Sequence, residues 1–399
     1  MFYAWEFGAN LGHIGPFLPL GRALRDAGHT VHWAVAQTGP AARVLDREGF
    51  TWMQAPLAAE LKVERPPLSY ADILLRFGYA DRDDLLGLVV AWRELFIARD
   101  AQLVLADHAP TAVLAARSLG LPVMLFSNGF TVPPRVRPLP VLRPWQPLPA
   151  ETLLALEDQA LSSVNAVLQR FEQPPIDALA RLFDVAEEAL ITYPELDHYA
   201  QRGPARYWGA LPNAAIGAAP PWPQGEGPRI FAYLRPEVPH CEAVLDALKA
   251  AAVPTAIYFP GLAAEARSRW QAPHLVFMEQ PADLARTAAE ADLAVTYASL
   301  AATTAFLLAG KPLLLLPSQL EQYLLASRVG EMGAGLLVNP EEPAGDLLPA
   351  IRALSQMPSY AENARAFAAK YAAFGQEKVI ANLVKRIEEL CAESEHEQR

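Results

Sequence analysis

Short runs of apolar and β-branched residues alternate along this chain with longer segments whose apolar positions recur every three or four residues. The runs MFYAW (1–5), TVHWAVA (30–36), FTWMQA (50–55), AQLVLAD (101–107) and LPVMLFS (121–127) read as strands. Helical text follows each in turn. In GPFLPLGRALRDAG (15–28), Phe17, Leu20 and Leu24 share one face and Gly28 ends the helix. Prolines after residue 134 and the long helical text of 150–171 break the rhythm, and EALITY (188–193) and ARYWGAL (205–211) follow. The stretch NAAIGAAPPWPQGEGP (213–228) has no apolar periodicity and predicts a linker. Beyond it the alternation restarts, with strands predicted in RIFAYL (229–234), PTAIYFP (254–260), HLVFME (274–279), DLAVTY (292–297), PLLLLP (312–317) and AGLLVN (334–339). The last helix is amphipathic through Ile380, Leu383, Val384, Ile387 and Leu390.

Two successive βαβ arrays predict an α/β protein of two Rossmann-like, doubly wound domains facing a cleft. The expected bounds are 1–212 for the first domain, 213–228 for the linker, 229–375 for the second domain and 376–399 for a C-terminal helix. A chain of 399 residues is long enough for two cores. With 52% hydrophobic and 19% charged residues it can bury both.

Charge narrows the partners. A net charge of −11 and a pI near 5.3 argue against nucleic acid or an anionic membrane. Cys241 and Cys391 form no CxxC pair, which argues against a zinc site and fits a reducing cytosol. The N-terminal run lacks a basic segment and contains Glu6, so no signal peptide is expected. Residues 293–310 carry no charge over 18 positions, yet Thr296, Ser299, Thr303 and Thr304 interrupt them. A buried strand and helix are expected there, not a membrane span. Cytoplasmic localisation follows.

Candidate chemistry lies at strand ends. The glycines Gly8, Gly12 and Gly15 miss the GxGxxG spacing of dinucleotide sites. His13 stands at a strand-to-helix junction, where an imidazole is suited to proton transfer or to a structural, capping role. Asp107 ends a neighbouring strand on the same expected edge. It could orient that imidazole and stabilise its cation, or cap the following helix. No GxSxG sequence accompanies them, which argues against a hydrolase.

GHIGPFLPLGRALRDAGHTV (12–31) resembles the GHxxPxxxLaxxLxxxGHxV opening of the GT-B glycosyltransferases that use nucleotide sugars, the family of glucosyl- and glucuronosyltransferases. The segment from Ala291 to Gly335 resembles that family's donor motif, with Gly310, Pro312, Pro317, Glu321, Gln322, Ala326, Gly333 and Gly335 in matching places. The resemblance implies metal-independent, inverting transfer of a sugar from a nucleotide donor to a hydroxyl of a small or lipid-like acceptor. It implies no bound cofactor, the nucleotide sugar being a co-substrate. His13 would be the base and Asp107 its partner, with Glu321 and Gln322 holding sugar hydroxyls and Gln280 near the nucleotide base. The acceptor side would be residues 5–13, FSNGFTVP (126–133) and 134–180.

The donor motif departs from the family at one turn. Tyr297 stands for its phosphate-binding histidine, Ala298 and Ser299 for its glycine pair, Ala302 for its Thr/Ser and Ala305 for its ribose-binding glutamate. Tyr297, Ser299 and, with a shift of register, Thr303 remain as donor-side hydrogen-bonding groups. Glycine's access to positive φ is expected to be lost. The alternative reading is a catalytically inactive homologue that binds a ligand or partner. A third, a sugar-nucleotide epimerase, lacks assignable additional carboxylates.

Overall fold

Parallel strands buried on both faces are apolar nearly throughout, and the apolar runs form the inner strands of two parallel sheets, while the edge strands TWMQ and EEAL are partly exposed. The computed structural model describes the chain apart from residues 9–10, 201, 212–216 and 398–399. The first sheet holds β1 (Phe2–Trp5), β2 (His32–Val35), β3 (Thr51–Gln54), β4 (Val104–Asp107), β5 (Val123–Ser127) and β6 (Glu187–Leu190) in the order β3-β2-β1-β4-β5-β6. The second holds β7 (Ile230–Tyr233), β8 (Thr255–Tyr258), β9 (Leu275–Met278), β10 (Leu293–Thr296), β11 (Leu313–Leu315) and β12 (Gly335–Leu337) in the order β12-β11-β10-β7-β8-β9. Every pairing is parallel. Both are the doubly wound sheets expected.

Helices cover the sheets and set the direction of the connecting loops. The helix Leu18–Asp26 has Pro19 in its first turn and buries Leu18, Leu20 and Leu24. The helix Pro110–Leu119 also starts on proline, and Gly120, at φ 69°, caps its end through bonds to the Ala116 and Arg117 carbonyls. The helix Leu300–Leu308 is apolar on nearly every side, and Thr303, Thr304, Phe306 and Leu307 are all buried. That is the composition of a helix inside a protein. Among the described residues, no helix is long and apolar enough to cross a membrane.

The chain divides into two units less simply than the sequence implied. The first comprises Met1–Thr192, Tyr199–Gly209 and Val379–Arg399, the second Tyr193–His198 and Ala210–Lys378. Tyr193 packs on Phe367 and Tyr371 in the second unit, where Glu195 accepts a hydrogen bond from Tyr371 at 2.6 Å. The helix Gln376–Glu397 serves the first unit from Val379 on, burying Val379, Leu383, Ile387 and Leu390. Arg386 of that helix donates to Glu187 at 2.8 Å. Residues 213–216 of the expected linker, and the boundary at 212, lie outside the described residues. The rest of that stretch is fastened to the second unit: Ala218 N–H donates to the Pro281 carbonyl at 2.8 Å, and Asp283 N–H to the Ala218 carbonyl at 3.0 Å. Gly217 permits this approach, since a Cβ there would meet the Ala282 carbonyl carbon at 2.4 Å. In ARYWGAL only an isolated bridge forms, between Leu190 and Tyr207.

Candidate active site

Each sheet reverses its winding at one point. In the first it lies between β1 and β4, in the second between β7 and β10. Loops leaving two such strands part in opposite directions and leave a crevice beyond their carboxyl ends. Of the side chains described next, all but Gln280 stand at these two places or beside them.

At the first, His13 ends a short 3-10 turn, Leu11–His13, after β1. Asp107 is the last residue of β4, in register with Trp5. The His13 Nδ1 to Asp107 Oδ2 distance is 2.9 Å, and each side chain is 20% exposed. Three residues hold the imidazole in place. Trp5 stacks on it, with centroids 5.0 Å apart and planes 19° apart. The Tyr3 hydroxyl lies against the His13 carbonyl and 2.9 Å from Asp107 Oδ2. Gly8, at φ 91°, approaches the far side of the ring, where a Cβ would stand 2.5 Å from Nε2. With Nδ1 turned to a carboxylate, Nε2 is the nitrogen suited to accept a proton.

Behind this pair lies a buried polar group that the sequence did not single out. Glu6, 3% exposed, accepts from the Thr111 N–H at 2.9 Å, in the first turn of Pro110–Leu119. Burial pushes its carboxyl up to about 8, although the Thr111 and Ala112 bonds favour the anion. His108 follows Asp107 with a left-handed backbone, φ 46°. Burial, with a smaller contribution from His13, pushes its imidazole down to about 3.

At the second crevice, Tyr297 follows β10 and Ser299 caps the helix Leu300–Leu308, its Oγ accepting from Ala302 N–H at 3.4 Å. Ala298 between them is fully buried and has φ 60°. The expected loss of left-handed geometry is thus corrected: alanine adopts it, held by a closely packed core. Thr303 is fully buried, its hydroxyl has no partner, and the structure does not bring it to the surface of the turn. Gln322 is buried in the first turn of Leu320–Glu331 and accepts from Ser318 N–H at 2.9 Å and Ser318 Oγ at 3.1 Å. Glu321 Oε1 lies 3.4 Å from Nε2 of the buried His198. Gln280 is exposed just past β9, at the sheet edge away from the reversal.

No protein-family model matches this chain, and no curated protein matches its sequence. Solved structures do match its fold. The calicheamicin glycosyltransferase CalG4 superimposes with a TM-score of 0.72 at 18% identity, over 98% of each chain. The glycosyltransferase VinC, in complex with dTDP, does so with 0.66 at 17% identity, over 97% of this chain and 100% of its own. For the glycosyltransferase SnogD from Streptomyces nogalater the values are 0.61 and 18%, over 96% and 99%. The chain has the GT-B fold. In this GT-B chain the resemblance had already marked His13, Asp107, Tyr297, Ser299, Glu321 and Gln322. The contacts that Tyr3 and Trp5 make with Asp107 and His13 were missed. Both read as strand core in MFYAW.

Proposed function

We propose that this protein is a glycosyltransferase, moving a sugar from a nucleotide donor to a hydroxyl of a small or hydrophobic acceptor with inversion. His13 Nε2 takes the acceptor proton while Asp107 stabilises the imidazolium. The freed oxygen forms a bond to the anomeric carbon as the bond from that carbon to the diphosphate oxygen breaks, and the nucleoside diphosphate leaves with that electron pair. No metal takes part in the reaction as proposed. The observation that carries the reading is the His13–Asp107 contact of 2.9 Å at the reversal of the first sheet. The shared fold supports it, together with the dTDP and thymidine diphosphate in the structures of VinC and the spinosyn rhamnosyltransferase SpnG. Ser299, Tyr297 and the start of Leu300–Leu308 would receive the diphosphate, Glu321 and Gln322 the sugar, and Gln280 the base.

The test is a panel of nucleotide sugars against phenolic and alcoholic acceptors. His13→Ala should lower transfer by roughly 10²-fold or more, with nucleotide binding retained. Full activity in that variant removes the base. If millimolar nucleoside diphosphates and nucleotide sugars all leave the melting temperature and calorimetric trace unchanged, the inactive-homologue reading takes its place.

A further inference from the structure

Arg235 comes two residues after the end of β7, and β7 lies beside β10 with Tyr233 in register with Thr296. It therefore stands across the sheet reversal from the turn Tyr297–Ser299. Its guanidinium carbon lies 4.9 Å from the Tyr297 ring centre and 5.9 Å from that of Tyr233. Nη2 is 3.4 Å from the Tyr233 hydroxyl, and Nε is buried with no partner. The nearest carboxylate is Glu237 at 3.6 Å, itself 58% exposed. An exposed pair of that kind is screened and neutralises little charge. An arginine that served only the core would face a buried carboxylate or a set of carbonyls. This one lies over the Tyr297 face and directs one N–H at the Tyr233 hydroxyl, while its buried Nε has no partner.

The turn opposite lacks any cation. Tyr297 occupies the place where the resemblance has a histidine, and Ala298 and Ser299 add no charge. We propose that Arg235 provides the missing positive charge, binding the diphosphate of the nucleotide donor, with Tyr297 as the platform that orients it. Planar, paired donors on phosphoryl oxygens are the arrangement a guanidinium makes best. The proposal rests on the donor reading of the second unit. Within that reading it gives the altered turn a partner on another strand, so the diphosphate is held by a side chain as well as by helix N–H groups.

Calorimetry on the full chain tests it, titrating thymidine, uridine and guanosine diphosphates and the matching free nucleosides. The native protein should bind at least one diphosphate more tightly than its nucleoside. Arg235→Ala and Arg235→Gln should lose about 10-fold or more of the diphosphate affinity. Nucleoside affinity and melting temperature should hold. Native binding should also weaken with salt more steeply than binding to Arg235→Ala. Arg235→Lys, which keeps the charge and loses the fork, should fall between native and alanine. If the alanine and glutamine variants do not fold, the lysine variant carries the test, and native affinity in it overturns the proposal. Equal diphosphate affinity in native protein and folded Arg235→Ala overturns the role of Arg235 and leaves the donor reading standing. No nucleoside diphosphate bound by the native protein overturns both.

Discussion

At Gly8 the backbone turns through φ 91° and comes so near the His13 ring that a Cβ would stand 2.5 Å from Nε2. A methyl group there must either displace the imidazole or crowd Nε2, where the proposed mechanism places the acceptor hydroxyl. Gly8→Ala should therefore cut transfer by about 10-fold or more, approaching the loss of the base itself. Nucleotide binding, which the proposed function assigns to the second unit, should not change. Gly12 provides the control, since a Cβ there meets nothing within 4 Å. Steady-state rates for both variants decide the matter, and a fully active Gly8→Ala would show that Nε2 does not take the proton. The His13–Asp107 contact was legible in the sequence because Asp107 ends one predicted strand and His13 lies in the junction after its neighbour. Their supports were not. Tyr3 and Trp5 alternate in MFYAW like any buried strand residues, and only the folded sheet shows Tyr3 touching Asp107 and Trp5 stacking on His13.

The turn between β10 and the helix Leu300–Leu308 keeps its shape without glycine. Ala298 at φ 60° bears roughly 1–2 kcal/mol of left-handed strain. Replacing it by glycine relieves that strain but removes a fully buried methyl, worth about 0.8 kcal/mol, and adds unfolded-state freedom worth ~0.5–1 kcal/mol. The terms offset, so Ala298→Gly should change stability by less than about 1 kcal/mol. Ala298→Val meets both the backbone restriction of a β-branched residue and a core with no room, and should cost over about 2 kcal/mol. Urea melts compare the two, and a valine variant as stable as the native chain would contradict a left-handed turn at this position. The strand-and-helix rhythm was readable because parallel strands buried on both faces are apolar nearly throughout. Residues 193–198 and 379–397 were harder, because membership of a unit is decided by what Tyr193 and Leu383 pack against, which no local pattern encodes.

For the molecule as a whole, the buried pair Glu6 and His108 ties stability to pH in opposite senses. Glu6 keeps its proton to about 8 in the folded state, against 4.5 when exposed. Between those values the unfolded chain has already released a proton that the folded one retains, so stability falls as pH rises, by about 1.4 kcal/mol per unit at most. His108 stays neutral down to about 3, against 6.5 when exposed. Between 3 and 6.5 the unfolded chain binds a proton that the folded one refuses, so stability falls as pH drops. From 4.5 to 6.5 the two slopes oppose each other, which leaves a plateau with a decline on either side. Tyr70, whose ring centre is 6.0 Å from that of His108, and Tyr79, 3.2 Å from Thr111 Oγ1, also line this interior, and burial keeps both hydroxyls protonated throughout; His13, its ring centre 6.4 Å from that of His108, faces it as well. Glu6→Gln isolates one arm. It retains an oxygen to accept from the Thr111 N–H but cannot ionise, so its unfolding free energy should gain on the native protein as pH goes from 5 to 8. The gain should amount to a few kcal/mol and stop near the folded value of Glu6. Denaturant melts at four or five pH values measure it, and parallel curves for the two proteins would mean that Glu6 is ionised in the fold.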